Sequence, residues 1–250
     1  MVKYLVSSDE DSSDDELDGP VEQAPIAVGW VKVDEEHSVG ISSLPGCVYG
    51  GLRRSLRYDV DYLRDMGIQE SFVLCPFSEL RAMKVRNLMW ELDEVGINVH
   101  HAPINPAADL DLAACNKILD DLQEAVLAGK STVLHCLHGC GRSSVMAALL
   151  ILRLNSELSA DTAIDIVRNY YGPSAICSVR QYNFMREYQE RVLEQEASQA
   201  AAAAAAAPPA AASTEEPMAV CAEDSMAATA AAAAVVTVST TSSSSAAPAC

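Results

Sequence analysis

The sequence predicts an α/β protein in three layers, with a central, mostly parallel sheet flanked by helices. Three observations carry that expectation. Short apolar runs with strand character alternate with segments of helical spacing from about residue 26 to 194. Several of the helical segments stop at a glycine, as helices commonly do. Composition then changes sharply at both ends, leaving one region, 23–196, able to build a core.

Taken in order, Ile26 to Val33 alternates like a half-buried strand. Leu56 to Met66 has helical spacing and stops at Gly67, and Ser71 to Cys75 is a short apolar strand. Asn87 to Val95 is a second helix closed by Gly96, followed by a strand from Ile97 to His101. Leu112, Cys115, Ile118, Leu119, Leu122 and Val126 mark one apolar helix face that ends at Gly129. Ser131 to His135 is a strand, and Ser144 to Leu154 a nearly all-apolar helix. Two more helices are expected near 160–170 and 178–194, with Ser159 and Ser178 as N-caps.

The flanks differ from this middle. Residues 1–22 form a serine-rich arm with 8 acids between Asp9 and Glu22, too polar to offset its ordering entropy, so it is expected to be disordered. The tail, 197–250, is a low-complexity Ala/Ser/Thr-rich segment without amphipathic period. Net charge is −18, and the middle is itself mildly acidic, which argues against nucleic acid as a partner and for a protein with a basic face. The 8 cysteines do not cluster as a secreted disulfide framework does. The longest apolar run of the core region, Val145 to Leu152, falls well short of the roughly 20 residues of a membrane span. A reduced, cytoplasmic protein without a membrane partner is the resulting expectation.

The chemistry concentrates where the strand Ser131–His135 meets the helix from Ser144. Between them runs Cys136-Leu137-His138-Gly139-Cys140-Gly141-Arg142-Ser143. Glycines at 139 and 141 let the backbone curl until successive N–H groups point inward as an anion-binding nest, and the helix adds its positive end. Arg142 offers a planar fork for two phosphate oxygens. Cys136 at the mouth of this field is the candidate nucleophile, since helix N-termini and cations favour the thiolate. The amides of Leu137, His138, Gly139, Cys140 and Gly141, with Arg142, form the expected phosphate cradle, and Ser143 is placed to donate to the departing sulfur. His135 is read as an orienting group. Cys140 is read as a small packed thiol, with a resolving role for oxidised Cys136 as the alternative. A metal site built on His135, Cys136, His138 and Cys140, with His100 and His101, is the rival, but the ligand spacing lacks the paired form of structural zinc sites. No metal or other cofactor is expected.

This loop resembles that of the dual-specificity phosphatases. Leu44-Pro45-Gly46-Cys47, Leu52-Arg53-Arg54, Gly67-Ile68-Gln69, His100-His101 with Pro103-Ile104, and Ala175-Ile176 with Gln181-Tyr182-Asn183 extend the resemblance, within that class, to the kinase-associated phosphatase family over about residues 8–194. The resemblance implies the cysteine-dependent phosphatase fold and a phosphocysteine intermediate. It implies a phosphorylated cyclin-dependent kinase as substrate and partner, dephosphorylated at an activation-loop threonine, with phosphotyrosine as a second substrate. Docking through helix 178–194, a monomeric state and a perinuclear or nuclear pool beside the cytoplasmic one complete the expectation.

Two positions depart from the family pattern. The aspartate that protonates the leaving oxygen falls, without gaps, on Pro106, and Asp109 is the substitute candidate; Asp111 is read as a helix N-cap. Cys177 stands where relatives often carry a glutamine that positions the hydrolytic water; Gln181 is read as a surface or packing residue on its helix, with compensation for that glutamine as the alternative. The missing acid opens a different reading, a kinase-binding inhibitor with impaired catalysis, because a threonine alkoxide needs a proton as it leaves.

Overall fold

The computed structural model describes residues 21–22, 24–49, 51–106 and 110–206. The central sheet has five strands, β2 (Val28–Lys32), β3 (Ser38–Ser42), β6 (Glu70–Val73), β7 (Asn98–His101) and β8 (Thr132–His135). Their order is β2-β3-β8-β6-β7, and every pairing is parallel except the β2–β3 hairpin. The three inner strands are buried along nearly their whole length, as parallel strands covered on both faces must be. The expected α/β layering with a mostly parallel sheet is therefore what forms.

Helices α1 (Leu56–Asp65), α3 (Leu88–Glu94), α4 (Leu112–Leu127), α5 (Arg142–Leu154), α6 (Ala160–Tyr171) and α7 (Val179–Ala206) surround this sheet, with a short α2 (Phe77–Ala82) after β6. Residues 142–152 of α5 are all buried, which makes it the central packing helix and explains its lack of a polar face. Asp111 accepts from the Ala114 amide at 2.8 Å and Ser159 from Thr162 at 3.1 Å, so both are the helix N-caps their positions suggested.

Some elements differ from the sequence expectation. Strand β3 was not anticipated, because Ser38-Val-Gly-Ile-Ser42 is short and interrupted by glycine. The interruption has a reason: a Cβ at Gly40 would lie 2.9 Å from Val28 Cγ1 and 3.3 Å from Val133 Cγ2. Neighbouring strands occupy the space a side chain would need. A second, three-stranded sheet joins β1 (Val21–Glu22), β5 (Leu52–Arg54) and β4 (Val48–Tyr49). The arm expected to be disordered through residue 22 thus ends in strand, with Val21 opposite Arg53 and Glu22 opposite Arg54. Residues 1–20 lie outside the described residues. At the other end α7 runs through the alanines to Ala206, past the expected boundary at 196, as the helix propensity of alanine allows.

The topology brings the chemistry to one edge. Strands β3, β8, β6 and β7 run parallel, so their C-terminal ends release residues 43–47, 136–141, 74–76 and 102–106 on the same side. Crevices outside the carboxyl ends of parallel strands are where such sheets hold ligands.

Candidate active site

The loop from Cys136 to Gly141 leaves the central strand and enters α5, and its carbonyls show how it is held. Four in succession are engaged by donors from outside the loop. Leu137 O accepts from the Leu44 amide at 3.4 Å and His138 O from the Tyr171 hydroxyl at 2.9 Å. Gly139 O accepts from Ser144 Oγ at 3.0 Å, and Cys140 O from the Ile176 amide at 2.9 Å. A backbone whose carbonyls all face the scaffold turns its N–H groups the other way, toward the cavity. Gly139 adopts φ +77°, the left-handed conformation that this curl requires. Helix α5 begins at Arg142 with Gly141 in the cap position and no side chain capping it, so its first amides remain available to an anion.

Arg142 is buried, and its guanidinium is used on two sides. Nη1 and Nη2 grip Glu79 at 2.6 and 2.8 Å, and Nη1 also meets the carbonyls of Leu74 at 3.2 Å and Ile104 at 3.1 Å. Nε and the second Nη2 hydrogen form a further edge that makes no hydrogen bond among the described residues. That edge is the two-pronged geometry a phosphate accepts. Burial alone would pull the guanidinium pKa down, but the Glu79 hydrogen bonds, with the nearby Cys75, Cys136 and Glu79 charges, raise it overall, so the arginine stays charged.

A cavity of about 550 Å³ opens above this loop. Cys136, 3 % exposed, lies in its lining with Leu137, His138, Cys140, Gly141 and Arg142. Ile104, Asn105, Pro106 and Leu110 form one wall, and the face of α7 bearing Arg180, Gln181, Phe184 and Glu187 forms another. Tyr49 stacks edge-on against the exposed His138 ring at the rim, 4.8 Å between centroids.

The model of the family described as cyclin-dependent kinase inhibitor 3 (CDKN3) matches residues 3–164. Proteins named cyclin-dependent kinase inhibitor 3 from Homo sapiens and Sus scrofa are each 35 % identical over 193 residues, covering 75 % of this chain and 90 % of theirs. The chain belongs to the cyclin-dependent kinase inhibitor 3 family. The crystal structure of kinase associated phosphatase, with its catalytic-site cysteine replaced by serine, superimposes with a TM-score of 0.66 at 34 % identity, covering 69 % of this chain and 98 % of that one. PTPMT1 shares the fold alone, at 17 % identity and a TM-score of 0.53, with 68 % of this chain and 99 % of that one covered. Family and fold together make the chain a cysteine-dependent protein phosphatase.

Within this family member, the structure brings Cys136, Arg142 and the loop amides into one cavity. The Ser143 hydroxyl, close in sequence to this group, is buried and makes no hydrogen bond among the described residues. Asp109 lies outside the described residues. His135 is fully buried below the loop, its Nδ1 3.2 Å from the Ser43 carbonyl, which makes Nδ1 the protonated nitrogen. His100 and His101 are committed elsewhere, to Glu70 at 2.7 Å and the Cys75 carbonyl at 3.0 Å. Among the described residues no group of three or more His, Cys, Asp or Glu converges as metal ligands would.

Two residues at the site, Glu79 and Tyr171, carry no specific sequence signal. Glu79, the arginine's carboxylate, sits 63 residues before its partner. Its one sequence signal is general: a buried arginine requires an anion. Tyr171, at the end of α6, anchors the loop through its hydroxyl. Gln181, read as surface or packing, packs on the loop: its Nε2 lies 2.9 Å from where a Gly141 Cβ would be, and its Oε1 is buried with no hydrogen-bond partner among the described residues.

His135 gives the site a pH limit. Burial holds its pKa down at about 4, against about 6.5 in the unfolded chain. The depressed value means stability is fully present above pH 6.5 and is lost as pH falls toward 4, by about 2–3 kcal/mol at pH 4.5. Urea midpoints at pH 7 and 4.5 should show this loss, and His135→Asn should shrink it.

Proposed function

We propose that this protein removes phosphate from an activation-loop phosphothreonine of a cyclin-dependent kinase, and from phosphotyrosine, through a phosphocysteine at Cys136. The observation that carries the reading is the divided guanidinium of Arg142: one edge locked on Glu79, the other open beside Cys136 in the cavity floor. The names of the relatives, cyclin-dependent kinase inhibitor and kinase associated phosphatase, supply the kinase. The phosphatase domain is taken as 23–196, with the arm and the tail outside it, acting as a monomer in the cytoplasm with a perinuclear or nuclear pool. Among the described residues no helix is long and apolar enough to cross a membrane.

The phosphoryl group seats its oxygens on the loop amides and the open edge of Arg142. The Cys136 sulfur then attacks phosphorus in line; the S–P bond forms as the P–O bond to threonine breaks. The departing alkoxide takes a proton from Asp109. Water next attacks phosphorus, oriented by Oε1 of Gln181 and giving its proton to the Asp109 carboxylate; the O–P bond forms as the S–P bond breaks, and the Ser143 hydroxyl donates to the departing sulfur.

A second reading, a kinase-binding inhibitor with impaired catalysis, is favoured by one observation. Of the carboxylates lining the described cavity, Glu79 is tied to Arg142 and Glu187 to Arg191 at 2.7 Å, while Pro106 stands where the family acid is expected. The test is phosphate release from a kinase phosphorylated on its activation-loop threonine. Multiple turnovers are expected from the full chain and none from Cys136→Ser. Asp109→Asn should slow phosphothreonine release about 100-fold or more while slowing an activated aryl phosphate far less. Kinase binding by the intact chain without release would establish the second reading, and an unaffected Asp109→Asn would remove Asp109 from the mechanism.

A further inference from the structure

The cavity is much larger than a phosphate group, and its charge is divided along its length. At the loop end lie Arg142 and the inward amides. Along α7, Gln181 touches the loop at Gly141, and Phe184 and Glu187 follow at three-residue intervals on the same helix face. Glu187 is therefore about 9 Å further along the helix axis than Gln181, at 1.5 Å per residue. An extended peptide covers that distance in two to three residues.

We infer that Glu187 is a specificity-determining residue that receives a basic side chain two or three positions from the phosphorylated residue of the substrate, an inference resting on the phosphatase reading above. The wall opposite α7 is largely apolar, with Ile104, Pro106 and Leu110, so it offers the aliphatic stem of a lysine or arginine a surface while the head reaches the carboxylate. In the free protein, Glu187 pairs with Arg191 at 2.7 Å, one helical turn away, and both side chains are more than half exposed. A solvent-exposed pair of that kind is weak and is readily exchanged for a substrate cation held in the cleft. The polarity also sets direction: a segment carrying its phosphate and its basic group at this spacing matches the positive floor and acidic far end, and an acidic residue at that position meets repulsion.

The test uses the full-length chain with Cys136→Ser, which binds without turnover, and phosphothreonine peptides in an alanine background. A lysine is moved singly through positions −3 to +3, and affinity is read by fluorescence anisotropy. The expected result is about fivefold tighter binding with lysine at one position two or three residues from the phosphothreonine. Glu187→Gln should abolish that preference, and Glu187→Lys should invert it in favour of a glutamate peptide. A lysine scan that is flat, or unchanged by Glu187→Gln, overturns the inference, as does absence of binding to every peptide. The phosphatase reading is judged separately: the unsubstituted chain is expected to turn over an aryl phosphate, and absence of that turnover sinks the phosphatase reading alone.

Discussion

Gly139→Ala is expected to lower kcat/KM at least about 100-fold with any substrate, an aryl phosphate included, because small displacements of a reacting group cost that much. Two independent effects act at this position. The residue sits at φ +77°, which alanine adopts only with strain. An added Cβ would also lie 2.0 Å from the Tyr171 hydroxyl, 2.8 Å from its Cζ and 3.1 Å from the Ser42 carbonyl carbon. The loop must shift, and with it the amides that receive the phosphate. Steady-state kinetics and the inhibition constant of inorganic phosphate should worsen together. Adding Tyr171→Phe should rescue little, since the ring carbon remains too close. Tyr171→Phe alone removes one hydrogen bond to His138 O and is expected to cost about three- to tenfold in kcat/KM. Activity of Gly139→Ala within threefold of the original would show that loop geometry is not what holds the phosphate.

Arg142→Lys should reduce kcat/KM about 1,000-fold although the charge is retained. Lysine presents a single ammonium where the site needs a planar group serving two clients at once. The guanidinium meets Glu79 along one edge and leaves the Nε edge for phosphate; a lysine that satisfies one abandons the other. Glu79→Gln separates the two halves of this arrangement. The arginine and glutamate side chains are 10 % and 13 % exposed, so removing the anion leaves a largely buried cation without its counter-charge. A stability loss of about 2–4 kcal/mol in urea titration is expected, together with a clear fall in kcat. A Glu79→Gln protein of unchanged stability and rate would mean that Arg142 is held by the Leu74 and Ile104 carbonyls alone.

Much of this site was legible in the sequence because it is contiguous. Strand, glycine-bearing loop and apolar helix follow one another from residue 131 to 154, so the loop, Cys136 and Arg142 could be picked out without knowing what surrounds them. The same holds for the caps: Asp111 and Ser159 bond to amides three residues on, within reach of local chemistry alone. Strand β3 was hidden because Gly40 is set by Val28 and Val133 on its neighbours, so its local pattern carries no strand signal. For Gln181 the sequence left surface, packing and compensating roles open, because a helix position shows its exposure only once the facing element is known.

What the sequence determined by itself is the chemistry of the loop and the layered class of the fold, since both follow from local backbone geometry and from periods of a few residues. Only the tertiary structure decided who holds that loop. Glu79, Tyr171, Ile176 and Leu44 approach it from four separate segments, and their pairing with it depends on which strands became neighbours. The division of Arg142 between an edge held by Glu79 and an edge left open is likewise a property of that packing. A charge buried at the carboxyl ends of parallel strands must find its partner across the sheet edge, and no spacing along the chain records where that partner lies.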